Sequence, residues 1–141
     1  MTQVNFYTLP GSVLQDRLLF VCLLAEKAYS LGHRIHVQTD SEQQSKVLDD
    51  LLWQYSATSF IPHGISTHGA EHEEPVSLGS DLVGAQHAGV LINLSEQPCQ
   101  AENQFTRINE IVSADENSLE QGRIRYRFYK EKAYRIETFK L

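Results

Sequence analysis

Residues Gly89–Leu94 (GVLINL) form an almost unbroken apolar run in the middle of the chain. A strand with one face in water alternates apolar and polar residues, whereas a continuous run is typical of a central strand that is covered on both faces. The run therefore predicts a sheet with layers on both sides. Other segments with strand character are Gln3–Tyr7, Arg34–Val37, Glu74–Leu78, Arg107–Val112 and Tyr134–Leu141.

Helical spacing of apolar residues appears between these strands. It predicts helices over Val13–Leu31, from Ser41 to about Trp53, over a short stretch at Ala101–Phe105 and over Leu119–Ala133. Strands that alternate with helices indicate an α/β layered fold with a mostly parallel central sheet flanked by helices, a Rossmann-like topology. With 141 residues the chain suits one domain over residues 1–141.

The helix ends carry expected capping residues. Ser12 is placed to cap the first helix, and Gly32 to end it as a residue with left-handed backbone. Asp40 with Gln43 resembles a capping box at the start of the second helix.

Cysteine content and the N-terminus indicate a reduced, cytoplasmic protein. Cys22 and Cys99 form no close pair, and the opening residues have no basic segment before an apolar stretch. The longest apolar stretch, Leu18–Ala25, is far shorter than a bilayer span, so no membrane role is expected.

Charge is distributed unevenly along the chain, whose net charge is −6. Residues 1–120 hold 16 of the 18 acidic residues but only 5 of the 12 basic ones, and the last 21 residues are basic. An acidic body repels nucleic acid, which argues against general binding to duplex DNA. A compact basic patch fits a small anionic partner instead, such as an acidic peptide, a phosphate or a carboxylate; a solvated helix face without a partner is the alternative.

Known catalytic motifs are missing from the sequence. There is no P-loop motif, no glycine-rich dinucleotide loop after the first strand and no nucleophile elbow, so neither an enzyme nor a cofactor is indicated. His68–His72 reads H-x-x-E-H, the spacing of an inverted zinc-protease motif, but the glycines and Pro75 around it disfavour the helix that such a zinc site needs. A polar loop is the preferred interpretation, and no metal is expected.

Two segments carry more information about function. In the first, Trp53 ends the second helix and Phe60, Ile61 and Pro62 follow in an irregular stretch, either as satellite core or as an exposed anchor for a protein partner.

The second segment is the basic stretch Arg123–Lys130. On a helix, Arg123, Arg127 and Lys130 share one face beside Tyr126, while Arg125 is expected on the opposite, solvent side together with Lys132. The cationic face would bind the carboxylates of an acidic peptide, and a pocket beside Tyr126 would bind an apolar C-terminal side chain.

These residues together resemble the chi subunit family of bacterial DNA polymerase III holoenzyme. The resemblance runs along nearly the whole chain in order, and its most specific parts are W-x₆-F-x-P-H, from Trp53 to His63, and R-x-R-Y-[RK]-x-Y-[KR], from Arg123 to Lys130. One family lysine just before the last helix has no counterpart near Leu119-Glu120-Gln121.

The resemblance implies a non-catalytic adaptor in DNA replication with two partners. One partner is the psi subunit of the clamp loader, bound through Trp53 and Phe60, with Ile61 and Pro62 beside them. The other is the acidic C-terminal tail of single-stranded DNA-binding protein. The residues expected to bind this tail are Val112, Arg123, Tyr126, Arg127 and Lys130.

Two other functions remain open at this point. One is a small nucleotide- or phosphate-binding α/β protein that uses the turn after the first strand and the basic helix. The other is direct binding of single-stranded DNA through Tyr126, Phe128 and the arginines, against which the acidic body argues.

Overall fold

The computed structural model describes residues 2–55, 62–65, 74–82, 85, 88–99 and 102–141, without the side chain of Tyr55. Within these ranges the chain alternates strands and helices. In chain order the elements are β1 Gln3–Thr8, α1 Leu14–Ser30, β2 Ile35–Gln38, α2 Glu42–Tyr55, β3 His63–Ile65, β4 Val76–Gly79, β5 Val90–Asn93, a short 3-10 helix Glu102–Gln104, β6 Arg107–Val112, α3 Glu116–Glu131 and β7 Arg135–Lys140.

All strand pairs in the sheet are parallel, which confirms the predicted α/β class. The strand order is β3-β4-β2-β5-β6-β1-β7, so the predicted apolar run, β5, lies at the centre. Both faces of β5 are covered, since Val90 and Ile92 belong to one apolar cluster and Leu91 to the other. β3 and β7 form the two edges of the sheet.

The two clusters place the helices on opposite sides of the sheet. The first cluster joins buried residues of α1 and α2, such as Cys22 and Leu48, to Ile111 of β6. The second joins Tyr129 of α3 to Ile108 and Val112, whose side chains leave the other face of β6. We call these the α1/α2 face and the α3 face.

The helix ends differ in part from the sequence predictions. Gly32 has φ 86° and follows the last turn of α1, as predicted. Ser12 does not cap α1, because the N-cap residue is Val13 and it makes no side-chain hydrogen bond. At α2 the capping pair is shifted by one residue: the Gln44 N–H donates to Ser41 Oγ over 3.1 Å, and Gln44 Oε1 accepts from the Asp40 N–H over 2.9 Å.

One prediction about element content was wrong in part. The stretch expected to be an irregular connection after α2 contains the short strand β3, which pairs with β4. α1 is buried along Leu18, Val21, Cys22 and Ala25, but Leu14, Leu19 and Leu23 of the same helix are exposed. Within the described ranges, no helix has both the length and the apolar character needed to cross a bilayer.

Candidate functional site

α3 carries the predicted basic face and begins earlier than the sequence indicated. Asp115 is its N-cap residue, and the Asp115 carboxylate accepts a hydrogen bond from the Ser118 N–H over 3.0 Å. Leu119-Glu120-Gln121 therefore lies inside the helix and not before it.

The exposed basic residues of α3 lie on one side of the helix. Arg123, Arg127 and Lys130 are all exposed, and their i, i+4, i+7 spacing on a continuous helix brings them to one face. Arg123 Nη1 lies 3.4 Å from Glu120 Oε2, and both side chains are open to solvent. The described residues offer no ion-pair partner to Arg127 or Lys130.

Tyr126 borders this face and is 37% exposed. One side of its ring packs against Phe6 of β1, with 5.4 Å between ring centroids. The ring is thus held in place while part of it remains open to solvent, which is the condition for an aromatic side chain to contact a ligand without losing much conformational freedom.

Val112 lies under α3 and exposes only 5% of its surface. It faces Gly122, where an added Cβ atom would lie 3.0 Å from Val112 Cγ2. The missing side chain at Gly122 therefore allows α3 to approach β6 closely, and Val112 contributes to the floor beneath the basic face.

The prediction that Arg125 points to solvent was wrong. Arg125 is 2% exposed, and its Nε donates to Glu110 Oε1 over 2.8 Å. Lys132, expected on the same solvent side, is exposed, and its Nζ makes an ion pair of 2.6 Å with Glu102 and lies 4.7 Å from the centroid of the Phe128 ring.

Glu110 is the centre of a buried polar network. Its carboxylate accepts from the Tyr129 hydroxyl over 2.6 Å and from Asn93 Nδ2 over 3.0 Å and 3.2 Å, in addition to Arg125. Burial raises the pKa of Glu110, opposed first by the charge of Arg125 and then by these hydrogen bonds. All the surrounding groups donate, so they favour the ionised carboxylate.

The network fixes the rotation of α3 about its own axis. The Tyr129 hydroxyl also accepts from the Cys99 N–H over 3.0 Å, and Arg125 Nη1 donates to the Glu96 carbonyl over 3.3 Å. Burial and the charge next to it raise the pKa of Tyr129, so the hydroxyl keeps the proton that it donates to Glu110. With Arg125 and Tyr129 held inward, the cationic side chains are held outward.

The aromatic segment lies in a different part of the molecule. Trp53, in the last turn of α2, is 54% exposed and its ring lies 4.9 Å from that of His63 in β3. Pro62 is half-buried, and Phe60 and Ile61 lie outside the described residues. The H-x-x-E-H segment His68–His72 also lies outside them, and the described residues contain no cluster of three or more residues suited to a metal ion.

Trp53 and the basic helix thus occupy opposite faces of the sheet. α2 contacts β3 and β4 on the α1/α2 face, whereas α3 contacts β6 and β7 on the α3 face. A partner bound at one surface leaves the other surface accessible.

The fold and these surfaces define a parallel α/β domain of Rossmann-like layering with a cationic, aromatic helix exposed on one side. Residues 1–137 match the family model described as "DNA polymerase III chi subunit, HolC". The chain therefore belongs to the family of the DNA polymerase III chi subunit, and its role is that of a component of DNA replication.

Individual relatives agree with the family match over the full length. The DNA polymerase III subunit chi of Pseudomonas aeruginosa is 35% identical over 142 residues, which span 100% of this chain and 98% of the relative. The subunit chi of Escherichia coli K12 is 27% identical over 146 residues, spanning 100% and 96%, and that of Haemophilus influenzae is 26% identical over 135 residues, spanning 95% and 94%.

Proposed function

We propose that this chain is a non-catalytic adaptor that connects the psi subunit of the clamp loader to the acidic C-terminal tail of single-stranded DNA-binding protein. The observation that carries the proposal is the separation of the two surfaces by the sheet. Trp53 stands on the α1/α2 face and the basic residues stand on α3, so both partners can bind at once.

Charge supports the assignment of the tail to α3. Arg123, Arg127 and Lys130 form a local cationic surface on a chain of net charge −6. An acidic peptide is attracted to this surface, whereas the net negative charge of the chain as a whole repels it. The half-exposed ring of Tyr126 supplies an apolar contact beside it, and Val112 lies below as part of the floor.

The affinity expected for such a surface is moderate. A hydrogen bond to a charged group contributes about 1.5–3 kcal/mol, and ordering a flexible tail offsets part of the sum. A dissociation constant on the order of 1 μM corresponds to about 8 kcal/mol, which a few such contacts can supply. Added salt weakens the binding, because the contacts are solvent-exposed.

Calorimetry with a synthetic acidic tail peptide tests the α3 surface. We expect Arg127→Ala or Arg123→Ala to weaken binding about tenfold, the loss of one charge-assisted contact. Lys46→Ala, which removes an exposed lysine from α2, is the matched control and should bind normally. Wild-type affinity in both arginine variants would exclude this surface as the tail site.

Co-purification with psi tests the second surface. Trp53→Ala removes an exposed aromatic anchor, so it should reduce recovery of psi while tail binding stays unchanged. Val47→Ala, another exposed apolar residue of α2, is the control for general changes in the helix. Normal recovery of psi with Trp53→Ala would contradict the assignment, and tight binding of a bare oligonucleotide would favour direct DNA contact instead.

A further inference from the structure

A cleft of about 400 Å³ opens on the α1/α2 face, between the C-terminal half of α1 and strands β1, β5 and β6. This volume lies within the range of about 300–1,000 Å³ that small-molecule sites occupy. Leu24, Leu31 and Val90 supply an apolar wall. The cleft is separated from the α3 surface by the sheet, and it does not include Trp53.

Basic side chains stand around the opening of the cleft. Lys27 comes from α1, Arg107 from the first position of β6, and His33 from the turn after α1, and all three are exposed. The structure gives none of the three an acidic partner within the part of the chain that it describes. Lys27 and Arg107 are therefore two permanent cations without acidic partners on a chain of net negative charge. Together they form a local site for an anion.

The floor of the cleft contains a further donor. Asn109 is 4% exposed, and its Oδ1 accepts a hydrogen bond from Asn5 Nδ2 over 3.4 Å. This leaves the amide N–H₂ of Asn109 as a donor, and no acceptor for it is found among the described residues. The Asn109 amide nitrogen is not among the buried polar atoms that lack a partner, so it is open to the cleft and available to an acceptor on a ligand.

We propose that this cleft binds a small organic anion, a carboxylate or a phosphate monoester attached to a compact apolar body. The polar groups at hand, Lys27, Arg107 and the Asn109 amide, are donors, so they select an acceptor-rich group. The apolar wall selects a ligand that buries carbon atoms as well. A bare inorganic ion uses only the donors, and a neutral apolar molecule uses only the wall.

The proposal is tested by titrating the full chain, observed by NMR of its backbone amides, with four probes. Phenyl phosphate and benzoate share the apolar body and differ in the anion, inorganic phosphate lacks the body, and benzyl alcohol lacks the charge. We expect saturable shifts at the cleft residues with at least one aromatic anion, and binding of the two control probes at least tenfold weaker. The tighter of the two anions identifies the ligand as a phosphate or as a carboxylate.

Variants locate the site. Arg107→Gln and Lys27→Gln should each weaken the better anion at least fivefold, and Lys46→Gln should leave its affinity unchanged. Lys27 is exposed on a helix, so its variant remains informative even if a change at the start of β6 disturbs folding. The proposal is overturned if neither anion gives saturable shifts up to about 5 mM, if benzyl alcohol or inorganic phosphate binds equally well, or if both variants bind like wild type. Tail and psi binding are measured separately, so a failure here does not affect the adaptor proposal.

Discussion

Arg125 and Glu110 form an ion pair across the interface of α3 and β6, with 2.8 Å between Nε and Oε1 and side-chain exposures of 2% and 0%. Such a pair stabilises a fold only weakly relative to apolar residues, because both charges lose their hydration. The direct consequence of the pair is that it fixes the orientation of α3 on the sheet. A helix rotated away from this position would leave Arg125 and Glu110 buried apart, so the pair selects the rotation of α3 that presents Arg123 and Arg127 to solvent.

Breaking this pair should destabilise the protein strongly. Glu110→Gln preserves the shape of the side chain but leaves the Arg125 guanidinium buried without a counter-charge, at a cost of about 3–5 kcal/mol. Urea unfolding at neutral pH measures the loss. Glu120→Gln, at an exposed position of α3, should change the free energy of unfolding by no more than about 1 kcal/mol.

The double variant Glu110→Leu with Arg125→Met is a second test of the same ion pair. Both charges are then absent, so its stability should exceed that of Glu110→Gln. If the free energy of unfolding of Glu110→Gln is within about 1 kcal/mol of the wild-type value, the ion pair does not hold α3 in place.

The ion pair also shows where prediction from the sequence ended. Helical spacing correctly grouped Arg123, Arg127 and Lys130, since that grouping depends only on the geometry of one helix. The same projection placed Arg125 on the solvent side, although Arg125 lies four residues before the buried Tyr129 and so borders the core face of the helix. Its counter-charge, Glu110, lies in a strand, and only the tertiary fold brings the two together. The available signal was a glutamate in β6 that alternates with the apolar residues Ile108 and Val112, and so shares their buried face.

The accuracy of each strand prediction followed the strength of the local sequence pattern. Arg107–Val112 was correct to the residue, because apolar residues mark both of its faces. His63–Ile65 was missed, since three residues that include a glycine carry almost no pattern and depend on pairing with β4. The cleft beside α1 could not be predicted either, because its lining comes from four separate parts of the chain.

Close packing at Gly122 leads to a second prediction. Alanine is the better helix former by about 1 kcal/mol, yet its Cβ would meet Val112 at 3.0 Å from Cγ2 and 3.2 Å from Cγ1. Because Val112 is β-branched and both of its methyl groups face Gly122, rotation about χ1 still leaves at least one methyl group against the new Cβ atom. Gly122→Ala should therefore lower the free energy of unfolding by about 1–2 kcal/mol, as measured in urea.

Removing the clash should reverse the effect of the alanine. In a Val112→Ala background, Gly122→Ala is expected to be neutral or stabilising, because the methyl groups are gone and the helix-propensity gain remains. An equal loss of stability in both backgrounds would show that Val112 does not limit the approach of α3.

The ion pair of Glu102 and Lys132 makes stability dependent on pH. Burial alone would raise the pKa of Glu102, but the hydrogen bonds from Lys132 and the backbone, together with the charge of Lys132, lower the pKa below 4.5. The hydrogen bond to Glu102 raises the pKa of Lys132 above 10.5. The contribution of the pair is therefore present between these values, is lost as pH falls through the folded-state pKa of Glu102, and is lost again as pH rises through that of Lys132.

Lys132→Met should accordingly reduce the urea midpoint at pH 7, and its difference from the wild type should shrink as the pH is lowered below 4.5. Lys130→Met is the matched control, because this exposed lysine of α3 has no acidic partner in the described residues. A difference that stays constant from pH 7 to acid would mean that lost packing on Phe128, and not the ion pair, accounts for the effect.

Glu120 is expected to weaken the binding of an acidic tail in the unmodified protein. Its carboxylate lies 3.4 Å from Arg123 Nη1, so it competes for the cation and repels an incoming carboxylate. Exposed pairs of this kind contribute about 0.3–1 kcal/mol, which corresponds to a gain in affinity of about twofold to fivefold for Glu120→Gln.

Calorimetry with the acidic tail peptide at low salt measures the gain, which should diminish as salt screens the charges. Asp50→Asn removes an equal charge from an exposed position of α2, on the other side of the sheet, and should raise affinity less. Unchanged or weaker binding with Glu120→Gln, in a protein where Arg123→Ala weakens it, would show that Arg123 does not leave Glu120 when the tail binds.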